Sequence, residues 1–303
     1  MLVPILGLLY FLGKRKELKI SFSAIKLNKV QKIEMISVGT FGLIAGIAPI
    51  LVSTVDTVMV FQYLGPDETG VYATMIFFST VIIAPSKALA RIGTPVISDA
   101  WKDNNLIKID ELHKRSGINQ LLFSGLVFIG IWANMHNLFE IIPKYEEGKY
   151  VVFYLGLASL ANMTLGMNQV ILTTSKYYKY QTLFVIILSV SVIVANDLFI
   201  PKYGIVGAAI ATLTATLIVN ITKWFFVYVK LKTQPFTLKT FVLILIIVTT
   251  YFVQYTIPKM YFIVDLIIRS LIITTIFIGT CYILKVSEDL NRQVKKIFTI
   301  LKK

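Results

Sequence analysis

The sequence predicts an all-α membrane protein with about eight transmembrane helices, and three observations predict it. The 303 residues are 56% hydrophobic and 15% charged, with a mean hydropathy of +0.75. Soluble globular chains carry about 45–50% apolar and about 25% charged residues. Apolar runs near or beyond the roughly 18 residues that mark a spanning helix recur along the chain, separated by short polar loops. Lys and Arg collect in every second loop, the asymmetry that sets orientation in a bilayer.

In chain order, residues 1–12 come first, apolar but only about 18 Å long as a helix, against about 30 Å of bilayer hydrocarbon. A signal peptide carries its basic residues before the apolar stretch, whereas Lys14, Arg15 and Lys16 follow this one. The segment reads as the end of a preceding transmembrane helix in a truncated chain, with a basic cytoplasmic linker completing 1–34. Spans are then expected at 36–63, 71–89, 118–134, 151–173, 182–200 and 205–229, forming a six-helix lobe over 35–230. Two terminal helices, at 241–257 and 261–284, occupy 231–285.

The tail, 286–303, spaces Val286, Leu290, Val294, Ile297, Phe298 and Leu301 three and four apart among Lys and Arg. That pattern predicts an amphipathic helix lying on a membrane surface. Gly204, Gly207, Ala208, Ala211, Thr212 and Ala215 give one span a lean face for close helix packing. Gly42 and Gly46 do the same in the first span, which Pro49 should bend.

The stretches 14–34, 91–117, 174–181, 230–240 and 285–303 hold 23 Lys and Arg, and the alternate loops hold four, Lys144, Lys149, Lys202 and Lys259. The first set is assigned to the cytoplasm, which also places the C-terminus there. The net charge of +14 is then a topological and lipid-surface signal. Because spans interrupt the basic stripe, nucleic acid is not an expected partner.

Ionisable and amide groups inside the spans carry the functional reading: Asp56, Lys87, Arg91, Asn162, Asn168, Gln169, Asn196, Asp197, Asn220, Lys223, Asp265 and Arg269. Each charge at mid-bilayer costs about 2.5–3.5 kcal/mol on insertion scales, so the set implies a hydrated interior. Lys87 and Arg91, between Pro85 and Pro95, are four apart and share a helix face. They either line a cavity or snorkel to the cytoplasmic interface. Asp56 is either an ion-coupling group or part of a structural pair, with Ser53 one turn earlier as a neighbour. Asp265, one turn before Arg269, is placed to neutralise it.

No catalytic or metal-binding motif occurs, and no cofactor is expected. His113, beside Lys114, reads as a surface residue, and Cys281 has no partner for a disulfide. The sequons at Asn162 and Asn220 fall inside spans and are set aside. A polytopic chain with internal polar groups and no catalytic constellation reads as a transporter, not an enzyme.

Four stretches, in order, then resemble a known family: "STVDTVMVFQYLGPDETGVYATMIFFSTVIIAPSKALARIGTPVISDAW", "IIPKYEEGKYVV", "FIPKYGIVGAAIATLTATLIVN" and "QPF" at 234–236. Together they resemble the second half of bacterial polysaccharide flippases, of O-antigen type, in the multidrug, oligosaccharidyl-lipid and polysaccharide exporter superfamily. The resemblance runs from 37 to 236 and rests on order and spacing; the last two spans fit in hydropathy only.

It implies two six-helix lobes around a cavity, of which this chain supplies the second lobe and the terminal pair. The missing first lobe, or another chain, is then needed as a partner. It also implies a substrate, an isoprenoid-pyrophosphate-linked oligosaccharide moved across the bacterial cytoplasmic membrane for surface polysaccharide or lipopolysaccharide synthesis. Lys87, Arg91, Lys223 and Arg269 are the candidate groups for its anionic head. A multidrug or ion antiporter of the same superfamily, and a membrane glycosyltransferase or polymerase, are the alternatives.

Overall fold

The structure is a computed structural model and describes residues 28–301, apart from the side chains at 34, 38, 41, 44–53, 298, 300 and 301. The apolar stub, the basic residues up to Lys26, and the expected roles of Gly46, Pro49, Ser53, Phe298 and Leu301 lie outside the described residues. The chain divides into two units, Met1–Gly42 and Leu43–Lys303. In the first, the described part is helical from Lys29, and its described side chains are mostly exposed.

Among the described residues every regular element is a helix. The α-helices are α1 (Lys29–Leu64), α2 (Pro66–Lys102), α3 (Leu106–Ala133), α4 (Met135–Ile141), α5 (Lys149–Thr164) and α6 (Asn168–Thr174). They continue with α7 (Tyr178–Leu231), α8 (Leu238–Val253), α9 (Phe262–Ile283) and α10 (Glu288–Leu301). Short 3-10 turns cover Pro143–Gly148 and Gln254–Thr256. Among the described residues five helices are long and apolar enough to cross a membrane, α2, α3, α7, α8 with its trailing turn, and α9, or six if the bent α5–α6 pair is counted as one span.

Local chemistry sets the boundaries. Gly65, at φ 90°, turns the chain into α2, where Pro66 sits in the first turn with Asp67 and Glu68 at the positive end of the helix dipole. Asn105 caps α3 by accepting from the Lys108 amide at 3.0 Å. Thr237 and Thr240 exchange side-chain and backbone bonds at the start of α8. The helices also outrun the apolar segments. The run expected at 71–89 is the middle of α2, whose 37 residues extend about 55 Å.

Three expected spans are organised differently. The run 151–173 is not one helix: it breaks at Leu165–Gly166–Met167, and the two parts are bent by 53°. Gly166, at φ +54°, lies against the backbone of Gly117, so a side chain there would meet both strain and contact.

The runs 182–200 and 205–229 are the two arms of α7, joined at Gly204, whose φ 58° and ψ −140° are not helical. In a straight helix Asn196 and Thr212 would be about 24 Å apart along the axis. Both instead bond one carboxylate, that of Asp56, each at 2.7 Å, so the arms lie side by side. Gly207 packs on the backbone of Phe199, as such a reversal requires. The small residues of the second arm, Gly207, Ala208, Ala209, Ala211 and Ala215, are all buried. In lipid, close contact of this kind is what holds helices together, because hydrocarbon tails supply no hydrophobic force between them.

Contacts sort into two ends. At one, the start of α3 meets the 165–167 break, the 233–236 loop and the start of α10. This end carries Lys108, Lys114, Arg115, Lys239 and Lys285. At the other, Trp132 stacks near Phe153 (4.8 Å) and Tyr251 (6.4 Å), with the Lys149 ammonium 5.4 Å from its ring. Aromatic rings with polar edges suit the level of lipid headgroups.

Candidate functional site

The arrangement of polar groups in the membrane region is built from α2 outward. On α2, Thr80, Ala84, Lys87, Arg91 and Thr94 recur at three- and four-residue steps, within about 80° of arc, and all are exposed. Other exposed faces are different in kind. Ile186, Ile187, Val190, Ile193, Val194 and Leu198 surround the exposed Asp197 on the first arm of α7, and Ile263, Leu266, Ile267 and Leu271 cover α9. Those faces suit acyl chains, whereas a stripe of small, hydroxylic and cationic residues suits water or polar cargo. Lys87 and Arg91 thus lie on the surface of this chain, near the basic end of α2, and not between its helices. Among the described residues, neither has an ion-pair partner.

Asp56 is the opposite case, 3% exposed and enclosed by α1, α2 and both arms of α7. Asn196 donates to Oδ1 at 2.7 Å, Thr212 donates to Oδ2 at 2.7 Å, and Tyr72 donates to Oδ2 at 3.4 Å. Every donor is neutral, and no cation pairs with Asp56 among the described residues. The Asn196 Oδ1 atom is buried with no partner beside this carboxylate. The site therefore presents oxygen lone pairs, with one negative charge, in a nearly dry setting. Carboxylate and amide oxygens are the donor type that protons and small hard cations take. Close by, Tyr63 donates to Asp197.

Arg269 is engaged by internal partners. Its Nε and Nη2 donate to the two oxygens of Asp265 at 2.8 Å, Nη1 donates to the Gln254 carbonyl at 3.0 Å, and Nη2 also reaches the Pro258 carbonyl at 3.2 Å. Asp265 is fully buried and also holds His136 at 3.0 Å and Asn137 at 2.7 Å. This network ties the terminal helix α9 to α4 and to the turn after α8. Lys223 is half-buried on the second arm of α7, its ammonium 6.0 Å from the Phe184 ring centroid.

His113, expected on the surface, is wholly buried. Its ring nitrogens engage the Leu165 carbonyl and the Thr233 hydroxyl, each at 3.1 Å, and Thr233 donates on to Asp110 at 2.9 Å. One side chain thus satisfies a carbonyl freed by the broken helix and pins the 233–236 loop. Ser116 accepts from the Met167 amide at 3.0 Å in the same joint. Asn162 and Asn220, set aside as sequons, bond each other at 2.9 Å between α5 and α7. Sequence reasoning also missed the roles of Tyr72, His136 and Asn137, and took Thr212 only as part of a packing face; Tyr72 and Thr212 were signalled by lying inside apolar segments, His136 and Asn137 by nothing local.

No protein-family model matches the sequence, and no solved structure matches it. Over 235 residues the chain is 21% identical to the capsular polysaccharide biosynthesis protein CapF of Staphylococcus aureus, covering 73% of this chain and 56% of that protein. The chain spans about half the length of this curated relative. It is thus distantly similar to a protein of capsular polysaccharide biosynthesis.

Proposed function

We propose that the chain acts in polysaccharide biosynthesis as the second lobe and terminal pair of a membrane flippase. Its cargo is an isoprenoid-pyrophosphate-linked oligosaccharide, moved unchanged from the inner to the outer leaflet of a bacterial cytoplasmic membrane. The observation that carries this reading is the polar, cationic stripe exposed on α2, in contrast to the mainly aliphatic exposed face of α9. Lys87 and Arg91, with Lys223, bind the anionic head as a partner lobe closes the other side of the cavity. Arg269, paired with Asp265 and bonded to the Gln254 and Pro258 carbonyls, holds α9 in place.

The capsular relative's name supports polysaccharide biosynthesis as the process. Counting α1, the bent α5–α6 pair and both arms of α7 as spans gives eight, with the basic end cytoplasmic.

Asp56 couples the cycle to a proton or sodium gradient. The unpartnered Asn196 oxygen and the absence of a fixed counter-cation among the described residues support this role.

In membrane vesicles holding the complete transporter, Lys87→Ala with Arg91→Ala should slow translocation of radiolabelled lipid-linked oligosaccharide at least about tenfold at normal expression. That factor corresponds to about 1.4 kcal/mol. Unchanged translocation would overturn the reading, and conversion of the label to a longer glycan would establish the enzyme alternative. Asp56→Asn should leave cargo binding intact and remove the response to an imposed ion gradient.

A further inference from the structure

At the basic end, a cavity of about 440 Å³ lies between the first turn of α8, the end of α9 and the face of α10, lined by Lys239, Lys285, Glu288, Asn291, Arg292 and Lys295. Four cations face one acid there. The neighbouring groove of about 400 Å³ is balanced, with Lys114, Arg115 and Lys239 against Glu111, Glu288 and Asp289. Only the first carries a net positive field, so of the two only it attracts an anion.

The site is held in shape before any ligand arrives. Asp289 pairs with Arg115 and accepts from Asn119 at 2.6 Å, while Ser287 donates to Asn119 at 2.7 Å. Val286 beside them is buried. These contacts clamp the start of α10 on α3. Glu288, Asn291, Arg292 and Lys295 then follow at i, i+3, i+4 and i+7, on one helix face. Lys285, in a left-handed conformation at φ 50°, ends α9 and turns the chain back over the cavity. Lys239 reaches Glu288 only at 3.9 Å, so its ammonium keeps most of its capacity for another partner.

The surroundings say what kind of anion fits. Leu238 is 81% exposed beside Lys239, and Ile283 and Leu284 are 75% and 54% exposed beside Lys285. A soluble phosphate has no use for apolar side chains around its site, whereas an amphiphile has both parts. We propose that this cavity binds the phosphate of an anionic phospholipid headgroup, with the exposed Leu and Ile side chains against its acyl chains. The lipid seats α10 at the membrane surface.

The test is a titration of phosphatidylglycerol into phosphatidylcholine micelles holding the full chain, read as a rise in the unfolding midpoint. A saturable rise is expected with phosphatidylglycerol and none with phosphatidylcholine or inorganic phosphate. Lys239→Gln, Lys285→Gln, Arg292→Gln and Lys295→Gln together should weaken the apparent affinity at least about tenfold. Lys108→Gln, Lys176→Gln, Lys179→Gln and Lys230→Gln together remove the same charge elsewhere and should leave it unchanged. Equal behaviour of the two variants, or an equal rise with inorganic phosphate, overturns the proposal. If the first variant does not fold, Arg292→Gln alone, at an exposed position, should still weaken the affinity about threefold, and an unchanged affinity overturns the proposal.

Discussion

Two buried carboxylates show how neighbours decide what a residue does. Asp265 has its own cation one turn away, on the same helix, and that pairing follows from the spacing alone. Replacing Arg269 by Ala would strand the acid and should cost about 3–5 kcal/mol, read as a lowered unfolding midpoint in detergent. Replacing both Asp265 and Arg269 by Met should recover most of that loss, because no uncompensated charge then remains. Asp56 depends on Asn196 and Thr212, 140 and 156 residues away, and no local pattern announces them. His113 was equally hidden: Glu111, Lys114 and Arg115 beside it read as solvent, yet its own helix face turns inward to a joint made by two distant segments.

At the scale of elements, the long apolar runs revealed the helices but not where they break. Leu165 and Met167 continue the apolar run, so Gly166, with Asn162, Asn168 and Gln169 near it, is the local mark of the 53° bend. Gly204 is a clearer mark, following Pro201 and preceding a small-residue face. Its backbone conformation is open to Gly and strained for other residues, so Gly204→Ala should cost about 1–3 kcal/mol in the same unfolding assay.

The clamp of α10 is pH-sensitive in a stated direction. Hydrogen bonding to Arg115 holds the Asp289 carboxyl below its ordinary value of 3.8. A lowered folded-state value means the contribution is complete above the ordinary range and disappears as pH falls through the lowered value. Amide exchange in α10 should therefore be pH-independent in mechanism above about pH 5 and show added opening below about pH 4. Asp289→Asn should show the opening at neutral pH.

For the whole molecule, the alternation of basic and sparsely charged loops predicted which segments gather at each end, and the contacts place 106–119, 233–240 and 285–291 together. A reporter fused after residue 303 should be active only as a cytoplasmic fusion, and a cysteine at 259 should label from outside. The α2 stripe was legible as two cations sharing a face; its position on the surface of this chain was not, because periodicity gives a face and not what lies opposite.

The Asp56 cluster has a consequence for how the chain is made. Translation delivers the carboxylate long before the arms of α7 leave the ribosome, whereas Asp265 and Arg269 emerge four residues apart and neutralise each other at once. For roughly 150 residues of synthesis, the early acid must be wetted, protonated or sheltered by the insertion machinery. Final burial of Asp56 is thereby postponed until the hairpin at Gly204 has closed.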